Sequence, residues 1–431
     1  MTDTSIDVHL HGQAIGRVEQ RRGGATWIAH ADALELYGIG STVLSLALPL
    51  ESTPASSAAT EAFFGGLLPE GTRLDALLAD NRALSRDNLV GLLAAVGRDV
   101  AGGLVLPGPA ITALGPLLTE GEAAHEVTNP RGYLAGGGSG MAGMRPKVAL
   151  ARSAAGWHAA RNGHPSSHIV KPSSPDALRD THAEVWVMNL ARAAGLTSYG
   201  VTLEWFGGLP AVVIERFDRA PGPDGGLTRL HQEDAAQALG LAWGGDAKFE
   251  WDNARTRNGT GASLRAIAAL LDRDRTLRST GPSDKERLLA QTVFRLVIGD
   301  TDGHAKNHAL LHDARGGVTL APLYDATPTV LYGQGAVIAL EVAGHRLLHQ
   351  IDTDALVAEA GRWGLRETDA RAVIEHTAQA TLEAARTADA ADSIAPHLPG
   401  YVTQACTALL AGKPVGLNLG EFPTVTPLRV V

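Results

Sequence analysis

The chain has 431 residues, 45% hydrophobic and 19% charged, with 37 Lys and Arg against 46 Asp and Glu for a net charge of −9. That length calls for two or three domains or lobes rather than one core, and the acidic balance excludes a globally basic nucleic-acid binder while leaving room for a local basic patch. The one cysteine, Cys406, excludes an intrachain disulfide and a cysteine-rich zinc module.

The opening "MTDTSIDVHLHG" has neither the basic nor the apolar region of a signal peptide. No stretch approaches the ~18–20 uninterrupted apolar residues of a membrane span. A soluble, cytoplasmic protein with no membrane contact is expected. "IDVHLHGQAIGRVEQRRGGATWIAHADAL" alternates apolar and polar residues between glycines, which predicts short antiparallel strands. "STVLSLALPL" predicts another strand. "EAFFGGLLPEGTRLDALLADN" has helical spacing interrupted at Pro69 and Gly71, and "SRDNLVGLLAAVGRDVAGGLVL" predicts a helix from a cap at Ser85 to Gly97, then a turn and a strand. Residues 1–107 thus read as a small mixed unit.

"PGPAITALGPLLTEGEAAHEVTNPRGYLAGGGSGMAG" is rich in Pro and Gly and reads as a linker holding one short helix. "RPKVALARSAAGWHAARN" and "SSHIVKP" come next as consecutive strands. "DTHAEVWVMNLARAAGL" predicts an amphipathic helix stopped at Gly195, and "YGVTLEWFGGLPAVVIERFDR" a hairpin turning at Gly207 and Gly208. From about Leu230 the pattern is mainly helical, in "HQEDAAQALGL", "GASLRAIAALLDR", "SDKERLLAQTVFRLVIGD" and "TDARAVIEHTAQATLEAARTA". No internal repeat is visible. The expected division is 1–107, then 108–245 with the linker and a strand-rich part, then a mainly helical 246–431.

Lys171 stands near the end of a predicted strand, in "HIVKP". It suits either a phosphate ligand or a solvent-facing strand residue. Glu184, on the following helix, favours the first reading, because a strand lysine paired with a glutamate from the next helix is how a lysine is aimed at the α- and β-phosphates of ATP. "VIERFDR" is an apolar strand running into a polar segment, either a hinge between lobes or an ordinary strand end. "VIGDTDGHAKNHALLHDARGGVTLAPLYDATPT" is the densest polar stretch. Asp302 and Asn307 are five residues apart, the spacing of the base and the Mg²⁺-binding amide in protein-kinase catalytic loops, and Asp325 comes later in "LAPLYD" as a second hard-oxygen ligand. Lys306 could balance phosphate charge, and Asp300 reads as structural. His304 and His308 are spaced for zinc on a helix, but no glutamate lies between them as in HExxH, and Gly303 argues for a loop. "GGGSGMAGMRPK" is neither a Walker A motif nor a nucleophile elbow, and it could cover phosphates as a flexible loop.

Seven motifs in order carry a resemblance. "AFFGGLLPEG" and "VGRDVAGGL" lie in the first part, and "HIVKP", "VIERFDR", "RLHQEDAAQALG", "IGDTDGHAKNHALL" and "LAPLYD" in the rest. Together they resemble the HipA-type serine/threonine kinases, the toxin half of bacterial HipBA toxin–antitoxin pairs, over nearly the whole chain. The resemblance implies an α+β, two-lobed protein-kinase-like fold with a small N-terminal α/β domain and a mainly helical C-terminal lobe. It implies ATP and Mg²⁺ as cofactors, Asp302 as catalytic base, and Asn307 and Asp325 as metal ligands. It also implies Lys171 as the phosphate lysine, Glu215, Arg216 and Phe217 as the adenine hinge, and Ala142, Gly143, Met144, Arg145, Pro146 and Lys147 as the covering loop. His304, Ala305, Lys306, Asn307 and Tyr324 would line the nucleotide pocket.

The implied partners are a HipB-like helix-turn-helix antitoxin, operator DNA mainly through that antitoxin, and a protein substrate such as an aminoacyl-tRNA synthetase, whose phosphorylation starves translation. A non-catalytic co-repressor and a small-molecule kinase on the same fold are the alternative functions. One departure stands out. The family commonly reads S-x-A-G-A-Q-x-K in the covering loop, where the serine is a self-inactivating phosphorylation site. Here Gly140 holds that position, with Ser139 beside it as the candidate autophosphorylation site.

Overall fold

The computed structural model describes residues 4–143, 145–250, 261–273, 281–332 and 336–416. Met144, expected in the covering loop, lies outside the described residues. The chain forms two compact units, one of Met1–Pro175, Thr202–Ala247 and Leu310–Val318, the other of Asp176–Val201, Lys248–Ala309 and Thr319–Val431. This partition differs from the expected one. The Leu178–Ala193 helix belongs with the C-terminal residues, where it packs on the Glu367–Thr387 helix, and residues 310–318 belong with the first unit.

In the first unit, strands Thr4–Leu10, Gln13–Arg21 and Gly24–Ala29 form an antiparallel meander, with Thr4 opposite Gln20 and Gly16 opposite Ala29. Their alternation puts Ile6, Val8, Val18 and Trp27 on one face, and these bury in one core with Leu10, Ile15, Phe63, Phe64, Leu92 and Leu93. The Ser57–Gly65 helix is capped by Ser56, whose Oγ accepts from Ala59 N–H at 3.2 Å.

Four local expectations need correction here. "STVLSLALPL" is not a strand. Its apolar side chains are buried, but its backbone bonds to side chains instead of a neighbouring strand: Leu46 N–H donates to Glu233 at 2.9 Å, and Leu44 O accepts from His231 at 2.7 Å. The helix expected from Ser85 begins at Leu89, because Asn88 caps it by accepting from Gly91 N–H at 2.9 Å. "VAGGLVL" makes only an isolated bridge, Val105 to His9. "HQED" is a strand, His231–Asp234, and the helix after it is one turn, Ala235–Ala238.

The stretch read as a linker holds two helices, Glu120–Thr128 and Pro130–Ala135. After it comes a five-stranded sheet in the order Gly156–Ala159, Val148–Ser153, His168–Pro172, Leu209–Glu215, Val201–Phe206. Val148, Leu150, Val170, Val213 and Tyr133 form its core.

The second unit is mainly helical. Its long helices are Leu178–Ala193, Asp284–Ile298, Glu367–Thr387 and Leu398–Leu410, with a hairpin of Val337–Val342 and His345–Leu347. Asp284–Ile298 starts at a capping box of Ser283 and Glu286 and buries most of its residues from Leu288 onward, including the unbroken run Gln291–Ile298. A helix buried nearly all round at its end is a rigid base for the segment that leaves it.

Candidate active site

The chain leaves this helix through a forced turn. Gly299 ends the helix at φ 76°, ψ 31°, and a Cβ there would run into Val330. Thr301 then fixes the exit, its N–H donating to Thr329 Oγ1 at 2.7 Å. Asp300 is buried and paired with Arg295, and its second oxygen accepts Asp302 N–H at 3.0 Å. Asp302 keeps part of its surface open to solvent, although its carboxyl is partly screened from water. His304 N–H closes the turn onto Asp302 O at 2.7 Å, and Ala305 N–H donates to Lys248 O at 3.0 Å.

Asn307 ties the segment together. Its Nδ2 donates to Asp302 O at 3.1 Å and to Asp325 O at 3.4 Å, so its amide oxygen is the atom left to serve a cation. Tyr324 Oη donates to Lys306 O at 2.5 Å. Asp325 is exposed and sits at φ 51°, a left-handed conformation that aspartate tolerates better than most residues. The structure therefore brings Asp302, Asn307, Asp325, Lys306 and Tyr324 into one cluster.

Electrostatics agree with the geometry. Partial burial, then the Asp300 and Asp325 carboxylates, push Asp302 up to about 6, against the pull of Lys248 and Arg295. Burial holds His304 well below its ordinary range, and its ring packs edge-on against Phe249 at 5.2 Å between centroids. Burial and Arg295 lower His308 to about 3. His304 and His308 flank a 3₁₀ turn, Ala305–Asn307, and do not share a helix face.

The first unit holds most of the other expected residues. Lys171 is 5% exposed on the His168–Pro172 strand, opposite Val212. Glu184 is buried on the Leu178–Ala193 helix of the second unit. In the expected hinge, Glu215 is exposed and Phe217 half-buried. The Arg216 side chain is committed elsewhere. It bonds Asp218 at 2.7 Å, Ser166 at 2.9 Å and Val100 O at 2.8 Å, and its backbone N–H donates to Ser167 O at 2.9 Å.

In the covering loop, Arg145 and Pro146 are exposed, and Lys147 Nζ folds back onto Ala142 O at 2.7 Å. Arg73, from the Gly71–Asp80 helix, donates to Met141 O at 2.6 Å and Gly143 O at 3.3 Å. Ser139 is 2% exposed, its N–H donating to Tyr133 Oη at 2.9 Å and its Oγ to Asp99 O. A Cβ on Gly140 would run into Val96, so glycine at this position lets the loop seat against the Leu89–Val96 helix.

Sequence reasoning missed the arginines Arg73 and Arg295. It also missed the buried ion cluster in which Asp99 meets Arg219 at 2.9 Å and Arg229 at 3.4 Å. Burial would raise Asp99, but these guanidinium groups and Arg216 hold it below its ordinary value. The only available signal was the recurrence of Arg and Asp in the otherwise apolar motifs "VGRDVAGGL" and "VIERFDR".

A mixed N-terminal domain ahead of a kinase-like domain, with an Asp-x₄-Asn loop tied to a downstream aspartate, defines the class of HipA-type kinases. Residues 6–106 match the family model described as HipA N-terminal domain, and residues 139–385 match the HipA-like C-terminal domain. The chain belongs to this family. It is 31% identical over 425 residues to "Putative kinase Y4mE" of Sinorhizobium fredii, covering 92% of this chain and 98% of that one. It is 30% identical over 344 residues, 76% of each chain, to the serine/threonine-protein kinase toxin HipA of Shewanella oneidensis. Among solved structures it is similar to a chain of the Shewanella oneidensis MR-1 HipA, HipB and operator DNA complex, with a TM-score of 0.75 and 24% identity over 96% of this chain and 97% of that one. That likeness shows the kinase-like fold.

Proposed function

We propose that this protein is an ATP- and Mg²⁺-dependent serine/threonine protein kinase, the toxin of a type II toxin–antitoxin pair, which inhibits growth by phosphorylating a translation-related protein such as an aminoacyl-tRNA synthetase. The observation that carries the reading is the Asn307 amide, bonded at once to the backbone of Asp302 and of Asp325. It joins the candidate base Asp302, 5 residues before it, to the candidate metal ligand Asp325, 18 residues after it, and is itself the second candidate ligand.

The residues present fit the cation. Among the described residues no three His, Cys, Asp or Glu side chains converge into a cage, and Mg²⁺ needs none, since one or two carboxylates complete its shell with phosphate oxygens and water. The Asp325 carboxylate and the Asn307 amide oxygen are hard donors of that kind. Bound Mg²⁺ would neutralise charge developing on the transferred phosphoryl group.

The chain's own residues supply the rest. Asp302 takes the proton from a substrate serine or threonine hydroxyl as its oxygen bonds to the γ-phosphorus of ATP, and the β–γ bridging bond breaks to release ADP. Lys171, loop residues 142–147 and the backbone at 215–217 are assigned to the nucleotide. His304, neutral and held against Phe249, and Tyr324 are assigned to it as well. Ser139 can be phosphorylated only when the loop has left its seat, because its hydroxyl is buried on Asp99. A HipB-like antitoxin, carrying the contact to operator DNA, is the proposed partner.

The test pairs purified protein with induced expression. Wild type should transfer label from γ-labelled ATP to serine or threonine and arrest growth. Asp302→Asn should lower transfer by about 10²-fold or more, with nucleotide binding within a few fold, and should abolish arrest. Equal arrest by both proteins would favour the non-catalytic co-repressor, and label appearing only on small molecules would favour a metabolite kinase.

A further inference from the structure

We infer that Arg295 is a positioning residue of the active site, whose side chain, together with the Asn307 amide, sets the mutual placement of Asp302, Asn307 and Asp325. This rests on the kinase reading above for what the three residues do, but not for how they are held.

Arg295 sits in the last turn of the Asp284–Ile298 helix and is buried. Its Nη2 donates to Asn307 O at 2.9 Å and to Tyr324 O at 2.7 Å. Its Nη1 pairs with the Asp300 carboxylate and reaches Asp325 O at 3.4 Å. Asp300 passes the constraint on, since its other oxygen accepts Asp302 N–H at 3.0 Å. Thus each of the three candidate residues is one bond from the guanidinium, or one bond beyond Asp300.

The geometry needs arginine. Its planar fork offers several donors in fixed directions, whereas a lysine ammonium is a single point on a flexible stem and cannot span acceptors on two segments. The two segments, 300–307 and 324–325, are otherwise joined among these residues by the Asn307 amide and the Tyr324 hydroxyl. The arrangement is also expensive to build. A buried guanidinium and carboxylate lose their hydration, and an apolar filling would serve simple stability as well or better. Rigid orientation of several backbone carbonyls is something an apolar filling cannot supply.

Arg295→Lys keeps the charge beside Asp300 and removes the fork, and Asp300→Asn keeps an acceptor for Asp302 N–H while removing the ion pair. Both are made in the full chain and read in two ways. By hydrogen exchange, the amides of 302–308 in Arg295→Lys should exchange at least about tenfold faster than in wild type, while those of the Glu367–Thr387 helix stay unchanged. By calorimetry, Mg²⁺ should tighten ADP binding in wild type. That tightening should fall at least about tenfold in Arg295→Lys, with ADP affinity in EDTA within twofold. Asp300→Asn should show the same pattern to a smaller degree, and it carries both readouts should the lysine variant not fold. Folded variants with wild-type exchange at 302–308 and wild-type Mg²⁺ tightening would overturn the assignment. Wild type without any Mg²⁺ effect would instead count against the kinase reading, and the exchange arm would still judge Arg295.

Discussion

The loop at 139–147 and the loop at 300–308 are each gripped by an arginine through backbone carbonyls, and they are gripped differently. Arg73 holds the first at Met141 O and Gly143 O. Arg295 holds the second at Asn307 O and also reaches Tyr324 O, Asp325 O and the Asp300 carboxylate. The second loop leaves a fully buried helix end and is cross-bonded by its own polar side chains. The first is glycine-rich from 136 to 140, with Gly137 and Gly143 at φ of 81° and 102°, and besides Arg73 it is seated by Ser139, bonded to Asp99 O and Tyr133, and by a glycine-sized gap at Val96. Glycines enlarge the set of conformations open to a released loop. The first loop thus carries a conformational freedom in its glycines that the second lacks.

The largest effect should come from breaking the fixed side of that contrast. Asp325→Ala removes the carboxylate proposed to bind Mg²⁺ without touching the carbonyl that Arg295 and Asn307 use. The Mg²⁺-dependent part of nucleotide-induced thermal stabilisation should vanish, since stabilisation tracks affinity, and growth arrest should be lost. An unchanged Mg²⁺-dependent shift would make "LAPLYD" a core segment only. A smaller effect is expected on the movable side. Arg73→Met removes a charged donor from two carbonyls, worth about 1.5–3 kcal/mol per such bond when buried. If the seated loop is the nucleotide-binding state, KM for ATP should rise about tenfold with kcat within a few fold. A fall in kcat at unchanged KM would show that Arg73 acts on the chemical step instead.

The acidity of Asp302 sharpens the comparison further. A carboxyl raised to about 6 gains its proton as pH falls through that value, so the base form is present above it and lost below. In the metal-free protein, NMR should place the Asp302 midpoint near 6. Asp300→Asn should lower it, because the Asp300 charge is the largest cause after burial. A midpoint near the ordinary carboxylate value would mean that water reaches the carboxylate freely enough to cancel these effects.

Much of the second loop was legible in the sequence because its chemistry is local. Asp302, Asn307 and Lys306 lie within six residues, and Gly303 marks a loop. What holds it was not legible. In the helical pattern "SDKERLLAQTVFRLVIGD" Arg295 is one polar residue among apolar ones, and only the folded backbone shows that carbonyls 29 and 30 residues away converge on it. The misreading of "STVLSLALPL" has the same origin. An apolar run reports which side chains are buried, not where backbone groups bond, and the acceptor at Glu233 lies 187 residues from Leu46. The helix start at Leu89 was missed because Ser85 and Asn88 are both good caps, and local geometry chose the later one.

The smallest effect concerns Ser139. Its hydroxyl donates to Asp99 O in a buried setting, so Ser139→Ala should cost about 1 kcal/mol. For a chain of this length that is a melting shift of only a few degrees. Phosphorylation at the same oxygen is a different matter. It needs the loop out of its seat, and a phosphate adds nearly two negative charges that cannot return to the backbone oxygen of Asp99. Wild type incubated with ATP and Mg²⁺ should therefore gain phosphate at Ser139 slowly and partially, read by mass spectrometry beside Ser139→Ala. Gly140→Ser puts a Cβ where Val96 stands, so the seat itself is disturbed. That variant should be phosphorylated faster, at residue 140 or at Ser139. Equal phosphate on wild type and Ser139→Ala, or none on any of the three proteins, would mean that this loop covers nucleotide without switching the enzyme off.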